Sequence, residues 1–214
     1  MSGLIRLLAI LLVAGAALLG AGAALHPMLT GDAAAQLRTI ATTPYWRALH
    51  LAMLAGSGFI IAGVWVRLVS DHSMATVLVA ALALVSIGIA LNALNIAFMA
   101  GSGTHMAALF SSGRAEMESV FEATHPIGLM AARFGNFIVA LGAAALGWIE
   151  WRDATRPRWL AWLAWLAAAG GFIGVLFFDE ASRFALAAVG LLSGWEVATA
   201  VLAMRRAVPS NPTR

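Results

Sequence analysis

The chain has 214 residues, 62% of them hydrophobic, with a formal net charge of +3 and a mean hydropathy of +0.89. That apolar fraction excludes an ordinary soluble domain and marks an integral membrane protein, at a length suited to one compact helical domain. There is no cysteine, and all thirteen basic residues are arginine, which excludes disulfides, thiolate metal sites, c-type haem attachment and any lysine Schiff base.

The expected fold is all-α, a bundle of six transmembrane helices. The first apolar run covers 4–25; Arg6 and the small residues Ala21-Gly22-Ala23 imitate a secretory signal, but the run is too long for one and reads as a retained helix. Further spans are expected at 47–69, 75–100, 127–149, 159–178 and 183–204, each long enough for a hydrocarbon core of ~30 Å. Together they form a single domain over 1–208, followed by a flexible polar tail at 209–214 with two prolines.

Arginine placement sets the expected orientation. Arg6, Arg67, Arg152, Arg156, Arg158, Arg205, Arg206 and Arg214 fall on one side, against Arg38, Arg47, Arg114 and Arg183 on the other. This positive-inside bias predicts a bacterial inner-membrane protein with both termini cytoplasmic, and it accounts for the basic pI without invoking nucleic acid. Trp65, Trp148, Trp151 and Trp159 mark one interface, and Tyr45 and Trp46 the other. Short amphipathic helices are expected in the two outer loops: Ala33, Leu37, Ile40 and Ala41 form one apolar stripe, and Met117, Val120 and Phe121 the second. The exits Ala41-Thr42-Thr43-Pro44 and Ala123-Thr124-His125-Pro126, with Gly31 and Gly113 in register, hint at a duplicated unit.

The stretch from Asn92 to Asn136 concentrates the polar residues at membrane depth. Asn92 and Asn95 share a helix face, and Arg133 and Asn136 follow on the next span. Arg133 lies ~12 Å below the outer surface by helical rise. Glu196 is near mid-membrane, and a charge there needs a partner or a wet cavity. An Arg133–Glu196 ion pair supported by Asn92, Asn95 and Asn136 is expected. The functional alternatives are an anionic ligand on Arg133, a proton step at Glu196, or a small-solute or ion transporter built on the cluster.

Four of five histidines map to the outer side: His26, His50, His105 and His125, with His72 on the other. Imidazoles from two helices are able to ligate haem b or another tetrapyrrole, or hold copper or zinc, with His26 and His50 the better pair. The same residues also read as interfacial groups bonded to loop backbone. Dense glycines need mean no more than close helix packing, and no HExxH, GxSxG or paired-carboxylate arrangement indicates an enzyme.

The segment Arg156-Pro157-Arg158-Trp159-Leu160-Ala161-Trp162-Leu163, an apolar hairpin and the closing Arg205-Arg206 form a pattern. With His26-Pro27 and the 44–51 run PYWRALHL, it resembles uncharacterised small six-helix bacterial inner-membrane proteins whose fifth helix opens on a PRWLGWL-type segment. Ala161 stands where that pattern has glycine. The resemblance implies fold and topology and no activity. The function expected is a non-enzymatic accessory subunit of a larger membrane assembly, of the electron-transfer or photosynthetic/respiratory kind. It would contact lipid and other subunits, with a tetrapyrrole on the outer histidines. The alternatives are the transporter and a stand-alone quinol-linked cytochrome.

Overall fold

A computed structural model describes residues 2–70, 75–177 and 183–206. The expectations for His72 and the tail at 209–214 lie outside the described residues. All elements among the described residues are helical: α1 (Ser2–Leu25), α2 (Ala33–Thr42), α3 (Trp46–Gly63), α4 (Val66–Ser70), α5 (Ala75–Phe98), a π-helical turn (Met99–Gly103), α6 (Thr104–Ser111), α7 (Met117–Arg152), α8 (Trp159–Phe177) and α9 (Arg183–Arg206). Six stretches among them are long and apolar enough to cross a membrane: Ser2–Leu25, Trp46–Ser70, Thr76–Ser111, Met117–Arg152, Trp159–Leu176 and Ala187–Arg206.

The spans close into a ring in chain order. α1 packs on α3, α3 on α5, α5 on α7, α7 on α8, α8 on α9, and α9 returns to α1. The ring centre is filled by Leu12, Leu78, Leu82, Val85, Leu146, Leu160 and Trp195, all fully buried. In lipid, apolar burial alone gives helices no reason to associate, so close backbone approach has to supply dispersion contacts. Gly88 on α5 and Gly135 on α7 provide it. A Cβ on Gly88 would lie 2.6 Å from the Gly135 carbonyl oxygen, and one on Gly135 would lie 2.5 Å from that of Gly88. Gly63 does the same for α1 and α3, where a Cβ would meet the Leu12 backbone nitrogen at 2.5 Å.

The third and fourth spans are longer than their hydropathy suggests. α5 continues through the π turn into α6, and α7 runs unbroken for 36 residues with Pro126 inside it. At 1.5 Å per residue α7 is ~54 Å long. The outer end of this hairpin therefore stands beyond the hydrocarbon, joined by a short turn at 112–116. The Met117/Val120/Phe121 stripe is thus the opening of α7 rather than a separate surface helix: Phe121 is buried against the neighbouring hydrophobics, while Val120 is exposed. Pro126 forfeits one backbone donor without ending the helix, because packing on α6 and α5 holds the turn.

The first outer loop does contain its own helix. Gly31 adopts φ +82°, which turns the chain so that Asp32 caps α2, its Oδ1 accepting from the Ala35 amide at 2.8 Å. Leu37 and Ile40 on α2 are buried, and α2 packs against α6 and α7. Gly113 also has positive φ, but it follows the end of α6 instead of preceding a capped helix. The two outer segments thus share a glycine register and differ in architecture.

The glycine contacts predict a selective response. Gly88→Leu or Gly135→Leu should lower stability by ~1–3 kcal/mol or more through overpacking of backbone on backbone. Gly58→Ala, with nothing within 4 Å of the added carbon, should be neutral. Thermal unfolding of the detergent-purified variants measures both, and an equal response at Gly58 and Gly135 would contradict the close-packed crossing.

Candidate functional site

Two polar centres lie at opposite ends of the ring. At the histidine end, the last turn of α1 and the first turns of α3 bring His26 and His50 together, with Nε2 atoms 3.2 Å apart. His50 Nδ1 lies 2.8 Å from the Trp46 carbonyl oxygen, one turn earlier on α3. A carbonyl only accepts, so Nδ1 carries the proton and Nε2 presents its lone pair toward His26. Burial and the adjacent His50 ring hold His26 down at about 4, outweighing its backbone hydrogen bond to Pro27, which acts in the opposite sense. His26 is therefore neutral at pH 7.

Trp46 holds this pair in place. Its ring lies 4.4 Å from the His50 centroid and 4.9 Å from that of His26. The indole N–H donates to the Met99 carbonyl at 3.3 Å. That carbonyl also accepts from Thr104 Oγ1 at 2.9 Å. Met99 opens the π turn that runs to Gly103, a local widening of the helix. The π turn thus anchors the tryptophan that backs both imidazoles.

The other outer histidines do not join them. His105 is exposed on α6. His125 is buried in α7, its ring 4.5 Å from that of Phe121 and stacked on Phe98 at 6.2 Å. Among the described residues no group of three or more His, Cys, Asp or Glu converges to hold a metal. Nor does the direct contact between His26 and His50 leave space for a macrocycle between the two rings.

The expected intramembrane cluster is only partly assembled. Asn92 Nδ2 donates to Asn136 Oδ1 at 2.7 Å, joining α5 to α7. Asn95 faces Gly128, with its Oδ1 buried and lacking a hydrogen-bond partner. Arg133 and Asn136 line one end of a crevice of about 50 Å³ between α7, α8 and α9, otherwise walled by residues such as Ala140, Gly171 and Leu192. The expected Arg133–Glu196 pair is not formed. Glu196 is buried, 1% exposed, one turn from Thr199, and its Oε1 has no hydrogen-bond partner. Depth is the physical reason. Arg133 lies ~25 Å along α7 from Glu150, whereas Glu196 lies only ~5 Å along α9 from Thr199, at the level reached by Arg156.

The second centre has little signature in the sequence. Glu150, fully buried near the end of α7, accepts from Arg67 Nε through Oε1 at 3.1 Å and from Arg156 Nε through Oε2. Arg67 also donates to Asp153 Oδ2 at 3.0 Å, and Arg156 Nη2 donates to Thr199 Oγ1 at 3.3 Å. Asp153 Oδ1 accepts from the Thr155 amide and hydroxyl, and Arg206 caps the Thr155 carbonyl at 3.2 Å. Burial lowers the Arg156 guanidinium, and Glu150 opposes that shift. Two arginines and two carboxylates balance, which suits a structural clamp better than an ion-binding site. Arg67 and Arg156 read in sequence as topology markers. The one available signal was Glu150, an acid placed before Trp151 in the last turn of an apolar span.

Comparison with family models, with curated proteins and with solved structures finds no match to this chain. The functional reading therefore rests on the chemistry of these two centres.

Removing one member of the clamp strands a buried charge. Glu150→Gln should cost ~3–5 kcal/mol, since both arginines lose their shared partner. Asp153→Asn, at the network's edge, should cost less. Unfolding midpoints of the two variants in matched detergent test this ordering.

Proposed function

We propose that this integral membrane protein is a non-enzymatic subunit that binds one transition-metal ion between His26 and His50. The observation that carries the reading is the 3.2 Å separation of the two Nε2 atoms. Metal–nitrogen bonds of ~2.0–2.1 Å place such nitrogens at roughly 100° about a single ion, a cis pair in a tetrahedral or trigonal site. The Trp46 carbonyl on His50 Nδ1–H fixes the tautomer and aims the other nitrogen, the usual second-sphere arrangement of a ligating histidine. A bare ion fits this contact better than haem b or another tetrapyrrole. An ion is also a better account than solute transport through the Arg133 crevice, because Glu196, the acid expected to complete that site, lies outside it.

The pair sits where two helices end, beside the membrane surface, so an ion is able to arrive from water without crossing the bundle. With two imidazoles and open positions, the site suits an ion that is received and handed on to another subunit. We place it on the periplasmic side of a bacterial inner membrane, following the arginine bias.

Purified protein loaded with copper or zinc and desalted should retain one metal ion per chain by elemental analysis. His50→Ala should retain at least tenfold less, and His105→Ala should match the parent. Full retention by His50→Ala would overturn the assignment. For orientation, single cysteines at Ser112 and Ala154 should show opposite accessibility to an impermeant thiol reagent in intact cells, with Ser112 labelled. The reverse pattern would move the histidine end to the cytoplasm.

A further inference from the structure

We infer that the crevice between α7, α8 and α9 holds one anionic phospholipid, with its phosphate at Arg133 and Asn136 and one acyl chain laid inward between the helices. This site is separate from the histidine pair and does not depend on it.

Exposure falls along the crevice. Arg133, Asn136, Val139, Val175, Ala188 and Val189 line it and are half-buried, whereas Ala143 and Ala167, deeper on their helices, are buried. One turn beyond its inner end stand Leu146 and Trp195, fully buried in the ring centre. The packed core therefore closes the crevice, and its shape suits a resident molecule better than a passing one. The enclosed part is about 50 Å³, and the empty space counted with its open side is about 540 Å³.

Length and depth match one leaflet. From Arg133 to Ala143 is ~15 Å by helical rise, half of a hydrocarbon core of ~30 Å. Arg133 lies ~25 Å along α7 from Glu150 in the clamp. It is thus near the opposite edge of that core, where a long cationic side chain reaches the headgroups.

The chemistry divides in the same way. Apart from Arg133 and Asn136, the described side chains that line the crevice are those of alanine, glycine, valine and leucine, with no polar atom and no acid. They leave a slot suited to a plain hydrocarbon chain. At the mouth the polar groups are donors. Asn136 Oδ1 accepts from Asn92 Nδ2 at 2.7 Å, so the other half of that amide is an NH2 donor. Arg133 brings five N–H donors in a fork that fits phosphate oxygens, enough to serve a headgroup alongside a neighbour in the protein. Such a pair calls for a negatively charged acceptor, which a quinone carbonyl or a neutral solute does not supply.

The test takes full-length protein delipidated in detergent and titrated with phosphatidylglycerol or phosphatidylcholine, with native mass spectrometry reading the lipid retained per chain. The parent should hold one phosphatidylglycerol at least tenfold more tightly than phosphatidylcholine. Arg133→Gln should remove that preference, and Arg133→Lys should restore part of it. Gly171→Leu, whose Cβ would already stand 3.0 Å from the Ala140 Cβ, should displace the lipid. Arg47→Gln, which alters an exposed arginine at the same end, should match the parent. Equal retention of the two lipids by the parent overturns the inference whatever the variants do. Loss of the preference in Arg47→Gln as well as Arg133→Gln means diffuse surface attraction and overturns it too. Retention by Gly171→Leu at the parent's level overturns the placing of the chain in the crevice.

Discussion

The Glu150 carboxylate is the constraint on which the arrangement of the spans depends. Each of its oxygens takes one arginine, Arg67 from the second span and Arg156 from the turn before the fifth, and Arg156 reaches on to Thr199 of the sixth. Three of the six spans, and the turn that leads into the fifth, are therefore tied at one level around one buried acid. Such groups are costly to bring out of water, and they are tolerated only when every charge is met with good geometry. A helix that slid along its axis by one turn would break several of these bonds at once. The clamp therefore sets helix register, which the apolar seams, built from alanine, leucine and glycine, specify only weakly.

The opposite end is organised by different forces. The polar groups gathered around the histidine pair are neutral: two imidazoles, an indole, and the Met99 carbonyl at the start of a π turn. Leu37, Ile40, Met99, Met106 and Phe121 close an apolar cap around them. Among the described residues, the exposed Arg114–Glu116 contact at that end is worth little in water. The bundle is thus held by buried ion pairs at one end and by aromatic and thioether packing at the end that carries the histidine pair.

Hydropathy made the class, the six spans and the first outer helix legible, because apolar length and the Ala33/Leu37/Ile40 stripe act locally. It failed where a local signal was overruled by packing. The third span was expected to end at 100 and the fourth to begin at 127, yet the helices continue through Gly101–Gly103, there by a π turn, and across Pro126. Juxtaposition across helices was harder to read. His26 and His50 were legible as a pair because one short connection returns the chain to the same level. Arg133 and Glu196 were matched by depth counted from span ends, and that count failed when α7 proved to begin ten residues early. Glu150 with Arg67 and Arg156 was hidden because arginine near a span end has an adequate topological explanation, and nothing in one sequence shows which of many arginines points inward.

The surplus length of the third and fourth spans has a consequence for approach to the surface. A hairpin of ~54 Å in ~30 Å of hydrocarbon has to stand clear of the lipid. α2 leans against it, and the indole of Trp46 is fastened to its base. The histidine pair consequently lies at the foot of a wall rather than on an open plateau. A molecule diffusing in from that wall's far side meets the Ser112–Glu116 crest before it meets the headgroups. On that side the approach is shaped by chain other than the two helices that bring the imidazoles together.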